Sequence, residues 1–491
     1  MSRIGTRMLS LKRGGIAAVL VAAASAVIAG IAPGAVPARA AAPPSEAAAA
    51  QSPIKHVVVI YMENHTFDNV LGYWCRSHPG RCPDGGMPTK VTLSDGTVVT
   101  PGVTPDTIPN VQHSVGSQIA AMNLKGGVPQ MNGWQNIPDG SCNAATQYQC
   151  ITGYKPGHVP NMTSLAQRFA ISDKTFSMAD SPSWGGHLYP VLGSLDGFTG
   201  DNPYPAKGVT AGPGWGCDSN KVTPWVGPNG ATRVVPSCIP DYNLGLANGG
   251  AFKPTPAAYH ASIFDELKSA SLSWRIYGST VPTAGTLAGG YVWSICPSLA
   301  ECLYTNQRNH LVDASQFITD AGSGTLPSFS IVSGGGSNKA ILKSCHNSWS
   351  MTACDNYIGQ LVGAVENGPD WSSTAVFITM DDFGGFYDQV RPGLNPDYTL
   401  RGPRMPLIIV SPYAKASYTD TTATTFAGIL AYIEQTFGLG PLGPNDARAY
   451  PFTNAFNYSQ TPLRPVHTVH RPLPPSAKHI RLTPAEANDP T

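Results

Sequence analysis

Two apolar runs in this chain end in carboxylates, where a buried strand ordinarily ends in turn residues. "VVVIYM" runs straight into Glu63-Asn64-His65 with Asp68 close behind, and "AVFITM" runs into Asp381-Asp382. Carboxylates gathered without a nearby Lys or Arg repel one another. A hard or borderline divalent cation removes that repulsion, and carboxylate and amide oxygens suit it as ligands. In open α/β sheets ligands bind outside the carboxyl ends of strands, so the two clusters are expected to face one crevice. Glu63, Asn64, Asp381 and Asp382 are therefore the candidate ligands of a divalent metal ion. A single Asp-Asp pair reads as a turn or a helix cap; two such clusters on two strand ends read as one metal site.

Between them lies "ADSPSWGGHLYPVLGS", in which Ser183 follows a proline and precedes Trp184-Gly185-Gly186. A tight turn there exposes the hydroxyl. A serine nucleophile needs an adjacent base or a metal to activate it, and the carboxylate clusters offer the metal. The setting is not the G-x-S-x-G elbow of the α/β-hydrolases. His113 in "PNVQHSVGSQ" and His346 in "SCHNSW" are candidates to bond phosphoryl oxygens or to protonate a leaving group. His187 and Trp184 are candidate substrate contacts.

These residues need a rigid frame. Strands are expected at 56–62, in "FAISDKTFS", "LSWRIYG", "LPSFSIVSG", "STAVFITMDD" and "MPLIIVSPY". Helices are expected at 114–124, at 161–169 with Asn161 as the cap, and in "SIFDELKSAS", "DNYIGQLVGAVEN" and "TTFAGILAYIEQTFGL". Strands spaced by helices, with continuous apolar runs, predict an α/β fold with a mostly parallel central sheet covered on both faces. Residues 198–258, rich in Gly, Pro and Asn, read as an insertion able to shape a substrate mouth.

Composition narrows the function. Charged residues are 12% of the 491 and the net charge is +1, so no basic footprint points to nucleic acid. Arg3, Arg7, Lys12 and Arg13 precede an apolar run from Ile16 to Ile31 and then Ala38-Arg39-Ala40, the pattern of an export signal over 1–40. No later run reaches the roughly 18 apolar residues of a membrane span. A secreted chain with a leader at 41–52, a main domain at 53–460 and a proline-rich tail at 461–491 is expected. The ten cysteines, all beyond the signal, fall into close neighbours that predict five local disulfides: Cys75/Cys82, Cys142/Cys150, Cys217/Cys238, Cys296/Cys302 and Cys345/Cys354.

Taken in order, "ENHTFDNVLG", "NVQHS", "MNGW", "SPSWGGHLYP", "TAVFITMDDFGGFYDQV" and "GPRMPLIIVSPYAK" resemble the bacterial phosphoesterase family. That family includes phosphatidylcholine-preferring phospholipases C and secreted acid phosphatases, on a fold similar to alkaline phosphatase. The resemblance runs from about residue 55 to about 458. It implies a metal at Glu63, Asn64, Asp381 and Asp382, a nucleophile at Ser183 and phosphate-binding histidines at His113 and His346. The chain departs from the family pattern at Asp382 and Phe383, where Glu and His are frequent, and at Gly186-His187.

The implied substrate is a phosphate ester. The leading expectation is a phospholipid cleaved in the manner of a phospholipase C, and the alternative is a phosphomonoester. A catalytically inactive extracellular binding protein would instead show broken site positions. A lipid-active enzyme calls for an apolar mouth, for which Trp184, Trp215, Trp225, Trp274, Trp293 and Trp349 are candidates.

Overall fold

The computed structural model describes residues 52–178, 182–212, 214–244, 255–280, 291–334 and 340–480. The expected export signal, the leader up to residue 51 and the tail beyond residue 480 lie outside the described residues.

Eight strands form the central sheet: β1 (His56–Met62), β2 (Ala170–Ser172), β3 (Trp274–Gly278), β4 (Leu311–Asp313), β5 (Phe329–Val332), β6 (Thr374–Met380), β7 (Leu407–Val410) and β8 (Thr419–Asp420). Their spatial order is β4-β3-β5-β1-β6-β7-β2-β8. The pairs β4-β3, β3-β5, β5-β1, β1-β6 and β2-β8 are parallel, while β7 runs against both β6 and β2. The mostly parallel α/β sheet expected from the sequence is thus present, with one strand reversed. The reason is the connection. Between Met380 and Leu407 there is no crossover helix, only loops and the short strand Arg401–Arg404, and a chain that returns without a crossover pairs antiparallel.

β1 and β6 are the centre. Every residue of β6 is buried, and so is every residue of β1 except His56 at its entry. Both strands are buried on both faces, which explains why each reads as an unbroken apolar run. They pair in register from His56 opposite Thr374 to Met62 opposite Met380, so the two runs end side by side.

The α-helices of seven residues or more among the described residues are α1 (Phe67–Ser77), α2 (Val115–Met122), α3 (Pro160–Arg168), α4 (Ser183–Leu192), α5 (Ile263–Ser269), α6 (Gln316–Ser323), α7 (Met351–Glu366) and α8 (Ala427–Phe437). Val59 and Tyr61 face α4 and α8 across a small apolar gap. The alternate residues Val58, Ile60 and Met62 point to the opposite layer, where α3 and α7 pack together. Thr66 caps α1, accepting from Asn69 N. Asn161 does not cap α3; Val159 holds that position. The Asn161 amide instead donates to Asp355 of α7 and to Val469 O, while its oxygen accepts from Val469 N at 2.7 Å, tying the proline-rich tail to both helices.

"FAISDKTFS" divides after Ser172: β2 stays in the main sheet, and Thr175–Met178 joins Arg401–Arg404 and Thr424–Thr425 in a second, three-stranded sheet. All five disulfides form between the expected neighbours. Among the described residues no helix is long and apolar enough to cross a membrane.

Candidate active site

Because β1 and β6 end in register, the residues that follow them meet. Asp381 N donates to Met62 O at 2.9 Å, and Asn64 N donates to Asp381 Oδ1 at 2.9 Å. Asn64 adopts φ 63°, the left-handed region that asparagine tolerates better than most residues. Gly384 closes the opposite loop at φ 59°, and a Cβ there would stand 1.9 Å from Asn64 O. Its N–H donates to Asp382 Oδ1 at 2.7 Å. The two turns are thus locked against each other, and each aims its carboxylates inward.

α4 supplies the third side. Ser183 is its first residue, and His187 stands one turn later on the same face. Ser183 Oγ donates to Asp382 Oδ2 at 3.0 Å. His187 Nε2 lies 2.9 Å from Glu63 Oε1 and 3.9 Å from Asp381 Oδ2. The helix can approach this closely because residue 186 is glycine; a Cβ there would be 2.6 Å from Asp381 O. Tyr61 of β1 fixes the same turn by donating from its hydroxyl to Gly186 O at 2.7 Å.

Glu63, Asn64, Ser183, Asp381 and Asp382 are all fully buried. Burial first, then the charges of neighbouring carboxylates, holds Asp381 well above the usual carboxylate range. Burial likewise raises Glu63, against a hydrogen bond to Asp381 and with the charge of Asp382, and burial raises Asp382. Asp381 Oδ2 is buried without a hydrogen-bond partner. Glu63, His187 and Asp381 each present a ligand atom, all within 4.8 Å of one another. Buried oxygens that lack a protein cation, one of them an orphan, make a donor set suited to a divalent metal.

Asn64 sharpens this. One terminal atom of its amide lies 3.0 Å from Asp381 Oδ1 and 3.3 Å from Glu63 Oε2, and the other lies 3.1 Å from His346 Nε2 and 3.2 Å from His113 Nε2. Turning the amide nitrogen toward the carboxylates would require both histidines to donate from Nε2. Yet His113 Nδ1 already faces Val111 O and His346 Nδ1 faces Asn347 O, each at 2.9 Å, so such donation takes an imidazolium. Burial, and after it the charge of His113, pulls His346 down to about 3 and keeps it neutral. The opposite orientation lets the amide nitrogen donate to His113 Nε2 at 3.2 Å. It also turns the amide oxygen toward Glu63 and Asp381, completing an oxygen corner that a cation would stabilise.

The expected site residues come together with three changes. Ser183, expected in an exposed turn, is the first residue of α4 and is fully buried. His187 is buried against Glu63 and Asp381, not set out toward substrate; burial pulls it down to about 4, the neutral form that ligates metals. Trp184 is fully buried, its Nε1 donating to Ser298 Oγ at 2.9 Å and its ring edge-on to Phe198, so it is packed in the core. The other candidates for an aromatic mouth, Trp215, Trp225, Trp274, Trp293 and Trp349, are buried as well.

A cleft of about 500 Å³ does open beside Ser183, lined by Pro182 and His113 and also by Asn110, Asp139, Asp201 and Tyr204. Two of these, Asp201 and Tyr204, come from the 198–258 segment, which therefore supplies part of the cleft wall. Sequence reading missed a buried arginine close by. Arg404, with no exposure, bonds Asp68 at 3.0 Å and Asp388 at 3.2 Å. Asp68 is thus an interior ion-pair partner.

With this geometry in view, the sequence profile of the Phosphoesterase family matches residues 54–440. The chain belongs to that family. It is 24% identical to non-specific phospholipase C1 of Arabidopsis thaliana over 74% of this chain and 61% of that protein. It is 26% identical to a non-hemolytic phospholipase C of Burkholderia pseudomallei over 48% of this chain and 44% of that protein. The chain therefore spans less than two thirds of either relative. Non-specific phospholipase C6 of Arabidopsis thaliana is 24% identical over 84% of this chain and 74% of its own length. Among solved structures, a Vibrio parahaemolyticus protein of the alkaline phosphatase superfamily overlays at TM-score 0.30 and 11% identity, covering 60% of this chain and 64% of that one; so partial an overlay carries no weight beside the topology itself.

Proposed function

We propose that this protein is a metal-dependent phosphoesterase that cleaves phosphate esters through Ser183, with phospholipids cleaved in the manner of a phospholipase C as its substrates. The observation that carries this reading is the Ser183 hydroxyl bonded to Asp382 at the rim of a buried, uncompensated carboxylate corner. Glu63, Asn64, Asp381 and Asp382 would hold the cation, with His187 against Glu63. When bound, a divalent ion supplies charge neutralisation at phosphorus and a lower hydroxyl pKa. Ser183 Oγ passes its proton to Asp382 and attacks phosphorus in line with the leaving oxygen. The Oγ–P bond forms as the P–O bond to the leaving group breaks. His113, half-buried at the cleft, and His346 behind Asn64 help to orient the phosphoryl group, while the departing oxygen takes its proton from water. Water then attacks the phosphoserine, releasing the phosphorylated head group or phosphate and restoring Ser183.

A second reading, a phosphomonoesterase, is favoured by the polar part of the cleft, where Asn110, Asp139 and Asp201 stand with no Trp. Purified protein assayed on p-nitrophenyl phosphate, bis-p-nitrophenyl phosphate and p-nitrophenylphosphorylcholine, with and without chelator, separates the two. Ser183→Ala should abolish turnover on whichever is cleaved; activity unchanged in that variant sinks the nucleophile assignment. The reading includes export, supported by five disulfides and the pattern at 1–40. N-terminal sequencing of secreted protein should begin near Ala41.

A further inference from the structure

The 198–258 insertion carries a small antiparallel sheet of Tyr204–Pro205, Lys221–Val226 and Thr232–Pro236. Its register sets Tyr204 opposite Val222, Val222 opposite Pro236, Pro224 opposite Val234 and Val226 opposite Thr232. Side chains alternate along a strand and opposed residues share a face, so these residues stand together on one side. The other side is anchored: Lys221, Thr223, Trp225 and Val235 are buried, Thr223 Oγ1 donates to Asp201 O at 2.8 Å, and Trp225 Nε1 donates to Asp196 O at 2.9 Å.

The outward side is almost wholly apolar. Tyr204 is 46% exposed, Val226 38% and Val234 57%, and the hydroxyls of Tyr204 and Thr232 are the polar side-chain groups among valines and prolines. A one-sided antiparallel sheet ordinarily turns polar residues to water, and a contiguous apolar face marks an interaction site. Two of its members, Tyr204 and Pro224, also line the cleft that reaches His113 and Pro182. The apolar face therefore runs without a break into the wall of the cleft beside Ser183.

We propose that the outer face of this sheet is a docking surface for a phospholipid bilayer. It would rest on the acyl and glycerol region while the head group enters the polar part of the cleft. Continuity with the cleft selects this occupant, since a second copy of the chain seated on the face would cover the entrance that Tyr204 and Pro224 help to form. Lys207, exposed and next to the patch in sequence, suits the phosphate layer. The assignment rests on the phosphoesterase reading for the meaning of the cleft, but the docking can be measured without turnover.

The test is co-sedimentation of the full chain with phosphatidylcholine vesicles in chelator, beside hydrolysis of soluble bis-p-nitrophenyl phosphate in metal. Val226→Asp with Val234→Asp should weaken vesicle binding by about tenfold or more, and Val226→Thr with Val234→Thr by about threefold. Both pairs should hydrolyse the soluble ester as the parent does. The threonine pair keeps the β-branched shape and carries the test should the aspartate pair fail to fold. The proposal is overturned if the parent does not bind vesicles, if both pairs bind as tightly as the parent, or if the parent is a dimer that either pair converts to monomer. Vesicle binding that follows the expected order, with no hydrolysis of any ester by the parent, would leave docking standing and remove the phosphoesterase reading.

Discussion

Two buried carboxylate groups follow the same two strands and meet opposite fates. Glu63, Asp381 and Asp382 come directly after β1 and β6, and no Lys or Arg ion-pairs with them among the described residues. Asp68 and Asp388 come five to seven residues later on the same segments, and one guanidinium, Arg404, lies between them. That guanidinium also sits over the Phe67 ring at 4.1 Å. The second group supplies its own cation and so needs nothing from outside. It fastens α1 to the loop after β6, which holds the first group's geometry steady. Burial and then the charge of Asp388 push Asp68 up to about 8, against the pull of Arg404. The first group lacks a cation of its own, and that difference marks it as the place for an external one.

The comparison can be broken from the arginine side. Arg404→Met removes the internal cation and leaves Asp68 and Asp388 buried with no opposing charge, Asp388 keeping only the N–H groups of Asp68 and Val390. Losing one partner of such a pair should cost about 4 kcal/mol of stability, read from a urea midpoint at constant slope. A cost below about 1 kcal/mol would mean that water or a proton already balances the cluster. Asp381→Asn, on the other side, should act on chemistry. Phosphoesterase activity should fall by about 10²–10³-fold, roughly 3–4 kcal/mol in the barrier. The metal-free variant should nonetheless unfold no earlier than the parent, because a repelling charge has gone. Opposite signs of the two stability changes are the signature of the contrast.

Metal removal gives the next smaller effect. At a hundredfold excess of cation over its Kd, binding should stabilise the parent by about 2.7 kcal/mol. Chelator should therefore lower the Tm of the parent and of Arg404→Met alike, but leave Asp381→Asn nearly unmoved. Equal Tm values with and without chelator, in protein shown by elemental analysis to load metal, would count against the corner as the binding site.

These contrasts also show what a sequence discloses. β1 and β6 were legible because both faces of each are buried, leaving a continuous apolar run whose polar end stands out. Local disulfides were legible because their partners are close in the chain. The direction of β7 was not, since it depends on a connection without a crossover. α4 was hidden by Gly185, Gly186 and Pro190, poor helix formers in its interior, and without the helix His187 could not be set one turn from Ser183. The role of Asp68 was hidden because its partner lies 336 residues away. Trp184 looked available because the tryptophan is large and lies beside Ser183, but packing buries it. The site's oxygen ligands could be read from the ends of strands; its histidine and its supporting arginine needed the fold.

A third buried carboxylate pair shows the remaining way to neutralise charge. Glu434 on α8 and Asp446 are both buried, and Glu434 Oε1 and Asp446 Oδ1 have no other hydrogen-bond partner. The other Asp446 oxygen accepts from Leu442 N at 2.6 Å and Gly443 N at 3.1 Å. Burial, followed by the charge of Asp446, pushes the Glu434 carboxyl up to about 9. Here neither an arginine nor an oxygen-lined metal corner is present, and a proton does the work of the cation. The sign follows. A carboxyl whose pKa is raised on folding binds its proton more tightly in the folded state, so its stabilisation is complete below its unfolded pKa and is lost as pH rises toward 9. Glu434→Gln keeps the shape and a donor but removes the titration. Its Tm should match the parent's near pH 5 and exceed it near pH 9, by about 1–2 °C. An equal Tm at both pH values would show that Glu434 is ionised at neutral pH and draws compensation from water, placing this pair nearer to the metal corner than to the arginine cluster.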